Sequence, residues 1–224
     1  MKKVVLMLAA VCTFGLANAQ TARFGVKGGM NVSTLAGDAN DASPKVGAHV
    51  GGLVEIRVTP KFAVQPEMLL SFQGAKNKYS YSEPGYTYTS ENKINLTYLN
   101  FPVMAKFYVI PNLSLEAGPQ LGLLVGAKNK YTETENDGGF VTTYSATSNV
   151  KGGLKTAEAA FNIGASYYFT SNFFAQARFC IGLTSIDESG SYYRVDNGNG
   201  YVYRYGGGPS VTNNVFQASV GYRF

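Results

Sequence analysis

The stretch LNFPVMAKFYVIPNLSLEAGPQLGLLV, Leu99 to Val125, decides the fold. Leu99, Phe101, Val103, Ala105, Phe107 and Val109 are apolar at every second position, with Asn100 and Lys106 between them. After Ile110-Pro111-Asn112 the pattern resumes with Leu113, Leu115, Ala117, Pro119, Leu121, Leu123 and Val125, around Glu116 and Gln120. Strict alternation marks a β-strand whose two faces meet different surroundings, and Pro-Asn sets a tight turn. The stretch reads as two antiparallel strands joined by that turn.

The same signature recurs on both sides. Phe24, Val26, Gly28, Met30 and Val32 alternate around Lys27 and Asn31, and Val46 to Val58 alternates around His49, Glu55 and Arg57. Phe62 to Phe72 alternates around Gln65 and Glu67, although Met68-Leu69-Leu70 blurs its parity. Ala159 to Phe169 surrounds Asn162 and Ser166, Phe173 to Leu183 surrounds Gln176 and Arg178, and Phe216 to Phe224 surrounds Gln217, Ser219 and Arg223. Pro66 and Pro119 fall inside such segments, where a central strand normally forbids proline, and read as markers of bulges.

Eight segments result, and their connections alternate in length. The turns at 59–61, 110–112 and 170–172 are short, whereas the links at roughly 33–45, 74–95, 126–157 and 184–214 are long. A soluble β-sandwich also alternates, but here the polar face mixes Gly and Ser with Glu, Gln, Arg and Lys. The segments also reach the ten or so residues that a tilted strand needs to cross a bilayer. Lipid cannot satisfy an open sheet edge, so a spanning sheet must close. The expected fold is all-β: an eight-stranded antiparallel up-and-down transmembrane barrel with short periplasmic turns and long extracellular hairpin loops.

Composition agrees. Charged residues make up 15% of the chain, against about 25% in an ordinary globular domain. Residues 1–19 read as a cleaved signal peptide, with Lys2 and Lys3, an apolar run from Val4 to Leu16, and Ala17-Asn18-Ala19 before the cut. Cys12 is a poor lipidation site because Val11 precedes it. Residues 20–224 then form the barrel domain, with seventeen Lys and Arg against fourteen acids, a net charge of +3. That balance excludes a nucleic-acid binder. Cys180 is left without a disulfide partner. No later run of about 18 apolar residues reads as a membrane helix.

The long links carry their own pattern. Tyr79 to Ser82 and Tyr86 to Thr89 flank Glu83-Pro84-Gly85, while Tyr131 to Thr134 and Phe140 to Tyr144 flank Asn136-Asp137-Gly138-Gly139. Ser191 to Asp196 and Tyr201 to Tyr205 flank Asn197-Gly198-Asn199-Gly200. Each reads as a hairpin that continues barrel strands above the membrane. The link with Asp38, Asn40 and Asp41 does not, and it lacks the glycine and distal glutamate of a calcium loop. Gly74-Ala-Lys-Asn-Lys-Tyr79 recurs as Gly126-Ala-Lys-Asn-Lys-Tyr131, on opposite strand parity. Its lysines and tyrosine suit a headgroup interface.

The segments Phe24 to Asn31, Gln65 to Ser71, Tyr98 to Val103, Ala175 to Thr184 and Val220 to Phe224 resemble the porin-like outer-membrane β-barrel family that includes the PorT-type proteins of Bacteroidetes. The resemblance implies the cell outer membrane, an OmpA- or OmpX-like barrel, and no catalytic motif. The terminal Phe224, with alternating apolar residues before it, resembles the signal read by the barrel-assembly machinery.

Chemistry is sparse. His49 is the single histidine, a base to pair with Glu55 or Glu67 or a hydrogen-bonded lumen residue, and the lack of a nucleophile favours the latter. Ser148-Asn-Val-Lys151 fits S-x-x-K without its partner motifs. The expectation is therefore no enzyme, no cofactor and no metal, with a monomer contacting outer-membrane lipid. Inward parity places Glu55, Arg57, Glu67, Lys106, Glu116, Arg178 and Arg223 in the lumen, with Gln65, Gln120, Gln176 and Gln217. In so narrow a space these charges should pair. Tyr86, Tyr88, Tyr201, Tyr203 and Tyr205 are the candidate extracellular recognition residues for an unknown ligand. A small-solute pore and an accessory role in protein secretion are the competing expectations.

Overall fold

The computed structural model describes residues 22–37, 43–187 and 211–224. The signal segment, Asp38, Asn40 and Asp41, and the hairpin with Tyr201, Tyr203 and Tyr205 lie outside the described residues. Strands run as β1 (Ala22–Gly37), β2 (Ser43–Arg57), β3 (Phe62–Glu83), β4 (Tyr86–Ile110), β5 (Leu113–Asp137), β6 (Phe140–Asn149), β7 (Ala157–Tyr168), β8 (Phe173–Gly182) and β9 (Val211–Arg223). Neighbours pair antiparallel, and β1 pairs with both β2 and β9, so the sheet closes. The wall has eight strands, because β7 takes over from β6 beside β5: β5 pairs with β7 from Leu113 to Leu123 and with β6 from Lys128 to Asp137. β6 is thus a ninth strand outside the barrel wall, within the 126–157 link.

Burial is inverted relative to a water-soluble barrel. Phe24 and Val220 are each 62% exposed, whereas Lys27 is 2% and Arg178 1% exposed. The alternation sends apolar side chains to lipid and polar ones inward. On β3, Phe62, Met68, Leu70 and Phe72 are exposed while Ala63, Gln65, Glu67, Leu69, Ser71 and Gln73 are buried, so the blurred segment keeps one parity. The ten residue steps from Phe62 to Phe72 rise roughly 33 Å along the strand. At a tilt near 40° this spans about 25 Å, the height of a lipid-facing band. Aromatic rings edge the band near the short turns: Tyr167 with Phe169, and Phe173, Tyr222 and Phe224 edge-to-face at 5.2–5.4 Å.

The prolines do not make bulges. Rungs are missing beside Pro66 and Pro102 in β3–β4, and beside Pro102 and Pro119 in β4–β5, yet the register resumes unshifted. A missing N–H removes a rung without displacing the chain. The register shifts instead between Pro44 and His49 on β2, opposite Gly74, and at Thr97/Tyr98, opposite Val125. Both shifts adjoin the repeated hexapeptide. Gly74 adopts φ 136°, a conformation that favours glycine. The irregularity beside Val125 flips the inward parity of β5 from even to odd. In consequence Ala75 and Ala127, which occupy equivalent places in the two copies, both point inward.

Above the band, β3, β4, β5 and β6 continue as one four-stranded fin. Glu83 pairs with Tyr86, Tyr86 with Asp137, and Asp137 with Phe140. The two hairpins expected separately are therefore fused through the β4–β5 ladder. The first link is shorter than expected, since Ser33 already pairs with Lys45.

Candidate functional site

The lumen is filled in layers. At the periplasmic end Leu53, Ala63, Tyr108, Tyr168 and Phe174 form an apolar and aromatic floor. Glu55 sits on it, accepting from Arg223 Nη1 at 2.5 Å and from the Tyr168 hydroxyl at 2.9 Å. Arg57 reaches Glu55 at 3.3 Å and stacks 4.2 Å over the Tyr108 ring, but its side chain is one-third exposed. Expected inside the lumen, Arg57 instead occupies the mouth, because β2 ends there and its long side chain bends toward water.

The next layer spans the barrel. Arg178 on β8 donates to both oxygens of Glu67 on β3, at 2.7 and 2.9 Å, and to Glu116 on β5 at 2.9 and 3.1 Å. Lys27 lies 2.8 Å from Glu67 and donates to Gln176 at 2.7 Å. Lys106 donates to Gln65 at 3.0 Å and to Tyr168 at 2.8 Å, and lies 3.6 Å from Glu116 and 3.9 Å from Glu55. Gln65 in turn donates to Glu67, and Ser166 to Glu116. A buried charge must be paired and hydrogen-bonded, and this mesh supplies both. Gly164 makes room for it, since a Cβ there would stand 2.4 Å from the Ala177 carbonyl oxygen and 3.2 Å from the Arg178 Cβ.

Above lies a neutral polar layer. His49 Nδ1 donates to Asn31 Oδ1 at 2.7 Å, and Nε2 accepts from Ser219 at 2.7 Å. Asn31 donates to Ser71, Gln73 to Ser71, and Asn213 to Gln73. His49 hydrogen-bonds to neither Glu55 nor Glu67; Asn31 and Ser219 hold its two ring nitrogens instead. Leu96, Tyr98, Leu124, Ala127, Ile186 and Val211 form an apolar lid at the extracellular end, with Leu35, Ile94, Val150 and Leu154 packed against it.

All seven charged lumen candidates keep inward parity, and six of them are buried together. Two of the four glutamines, Gln65 and Gln176, join the charged mesh. Gln120 accepts from Asn162, and Gln217, expected to bond to the charges, has neither amide atom partnered among the described residues. Sequence reasoning left out Lys27, Glu158 and Tyr168. The parity that found the others would have found Lys27 and Tyr168, but parity gives a face and no height or partner. The S-x-x-K match is incidental: Ser148 faces Asn129 in the ladder, and Lys151 donates to the Val125 carbonyl.

The fin has two unlike faces. The register puts Tyr79, Tyr81, Tyr86, Tyr88, Tyr131, Tyr144 and Phe140 on the face that continues the lumen, together with Glu83, Glu133, Glu135 and Asp137. Tyr86 donates to Glu135 and Tyr88 to Glu133, each at 2.5 Å, while Tyr131 also donates to Glu133 and Tyr81 to Glu83. These bonds hold Glu133 below the usual carboxylate range. Donation to Glu135 pushes Tyr86 up to about 12, and donation to Glu133 raises Tyr88. Tyr79, Tyr81, Tyr86 and Tyr88 line a shallow groove. Of the five tyrosines singled out in the sequence, Tyr86 and Tyr88 lie on this face. The other face carries Ser, Thr and Lys.

Comparison with known proteins follows the fold. Residues 18–188 match the family model described as outer membrane protein beta-barrel domain. The match stops short of β9, whose pairing with β1 closes the wall. None of the curated proteins matches the chain. Among solved structures it is similar to Neisserial surface protein A, at 14% identity over 92% of this chain and 100% of that one, with a TM-score of 0.46. The attachment invasion locus protein Ail of Yersinia pestis matches at 14% identity over 92% and 100%, TM-score 0.43. OprG from Pseudomonas aeruginosa matches at 12% identity over 91% and 96%, TM-score 0.35.

Proposed function

Since the chain belongs to the outer membrane protein beta-barrel domain family and lies in the outer membrane, we propose that it is a non-enzymatic surface protein whose lumen is a structural plug and whose extracellular fin makes the contacts. One observation carries this reading: six tyrosines and Phe140 are gathered on one face of the fin, while the lumen beneath is filled by a paired and hydrogen-bonded mesh of charges. Tyrosine gives large, rigid, amphipathic contact area at low entropic cost, and flanking Ser and Asn supply adaptable hydrogen bonds. Tyr79, Tyr81, Tyr86 and Tyr88 form that surface on two adjacent strands. The Arg178–Glu67–Glu116 bridge across the lumen counts against the small-solute pore, since an open path would have to part three elements at once.

The alternative role for the tyrosines is to stabilise cross-strand pairs. Vesicles carrying the refolded chain, passed over immobilised host-surface proteins and polysaccharides, separate the two. Replacing Tyr79, Tyr81, Tyr86 and Tyr88 by Ser is expected to leave the barrel folded and to lower retention at least tenfold by the order of four lost aromatic contacts. Equal retention of the variant, or no retention of the wild type on any surface, contradicts the proposal.

A further inference from the structure

The face of the fin opposite the tyrosines continues the lipid-facing side of the wall. Above Phe72 on β3, outward parity gives Gly74, Lys76 and Lys78; on β4 it gives Lys93 and Glu91; on β5, past the irregularity at Val125, it gives Lys128 and Lys130. Lys76 pairs directly with Lys93, and Lys93 directly with Lys130. Three ammonium groups therefore stand side by side across three neighbouring strands, spanning about 10 Å at the usual strand spacing. Lys78 and Lys128 flank them, and Glu91 is the one acid the three strands place there, 2.7 Å from Lys93.

Like charges directly opposed across a ladder destabilise it. A sheet that places three in a row gains from an anion that bridges them. Position selects the anion. Lys76 is four residues beyond Phe72, so its Cα stands roughly 10 Å above the apolar band. Its four-carbon stem is long enough to bring the ammonium group to the headgroup layer. Outward orientation aims the amines at neighbouring lipid and away from the lumen. We infer that Lys76, Lys93 and Lys130, supported by Lys78 and Lys128, form a binding site for the phosphate groups of a phosphorylated glycolipid in the outer leaflet.

The probes are bisphosphorylated lipid A, the same lipid after dephosphorylation, and inorganic phosphate. Each is titrated against the full chain refolded in a zwitterionic detergent, with binding read by native mass spectrometry and folding checked by the heat-dependent gel shift. The phosphorylated lipid is expected to bind and to be displaced by high salt. The triple variant K76Q/K93Q/K130Q should bind it at least tenfold more weakly, while K76R/K93R/K130R and a periplasmic control, K61Q, should retain wild-type affinity. Should the triple glutamine variant fail to fold, K93Q alone is expected to lose about threefold, since Lys93 is the middle of the row. Equal binding of the dephosphorylated lipid, unchanged affinity in every glutamine variant that folds, or competition by inorganic phosphate at concentrations equal to the lipid would each overturn the assignment.

Discussion

Arg178 holds two carboxylates from two other strands, and its removal is the most informative single change in the wall. Arg178→Ala leaves Glu67 with Lys27 alone and Glu116 with Lys106 alone among the described charges. Breaking a buried pair typically costs about 3–5 kcal/mol because a charge is left uncompensated. The two lysines that remain place this case near 3 kcal/mol on that scale. Urea unfolding of the vesicle-inserted protein measures it, and a loss under about 1 kcal/mol would show that the layer is hydrated rather than packed. Changing Glu67 and Glu116 to Gln as well would leave Lys27 without its ion-pair partner and Lys106 with Glu55 alone, so the triple variant Glu67→Gln, Glu116→Gln, Arg178→Met should cost more than the single change. The residues of this layer were legible because alternation sorts every strand into two faces. Their partners were not, since Arg178 and Glu67 are separated by 111 positions and meet only once all eight strands have closed.

The strands illustrate a different limit. Alternation and turn chemistry located all eight wall strands and the short turns, including Pro111-Asn112, where β4 and β5 meet. They did not reveal that the two hairpins share the β4–β5 ladder, because each hairpin signal is local and the ladder joins segments some forty residues apart. Nor did parity alone foresee that an irregularity beside Val125 would turn the second hexapeptide to the same face as the first. The fused fin makes a pH forecast. Glu133 is held low by the Tyr131 and Tyr88 hydroxyls, so its contribution is present above the unfolded value near 4.3 and is lost as pH falls through the lower folded value. Tyr86 is raised to about 12, so its contribution is full below about 10 and is lost as pH rises toward 12. Amide exchange across β4 and β5 above Lys93 should accordingly be slowest at neutral pH after correction for the intrinsic rate. A fin whose corrected protection is flat from pH 3 to 12 would contradict the role of these Tyr–Glu bonds.

For the molecule as a whole, an aromatic floor, a charged layer, a neutral polar layer and an apolar lid stack through the lumen, and an eight-stranded wall leaves an interior just wide enough for side chains. The wall, its closure and its polar interior were readable in the sequence. The lid was not, because alternation gives Leu124 a face but no height, while Leu96 and Ile186 come from a strand top and a link outside the alternating segments. The division of labour follows from this stacking: the charges of the lumen pair with one another and plug it, and recognition is left to the fin. Planar-bilayer recording of the refolded full chain tests that claim most directly. The account predicts an electrically silent bilayer or brief, small flickers. A large, stable, frequently open conductance from the wild-type chain would contradict it.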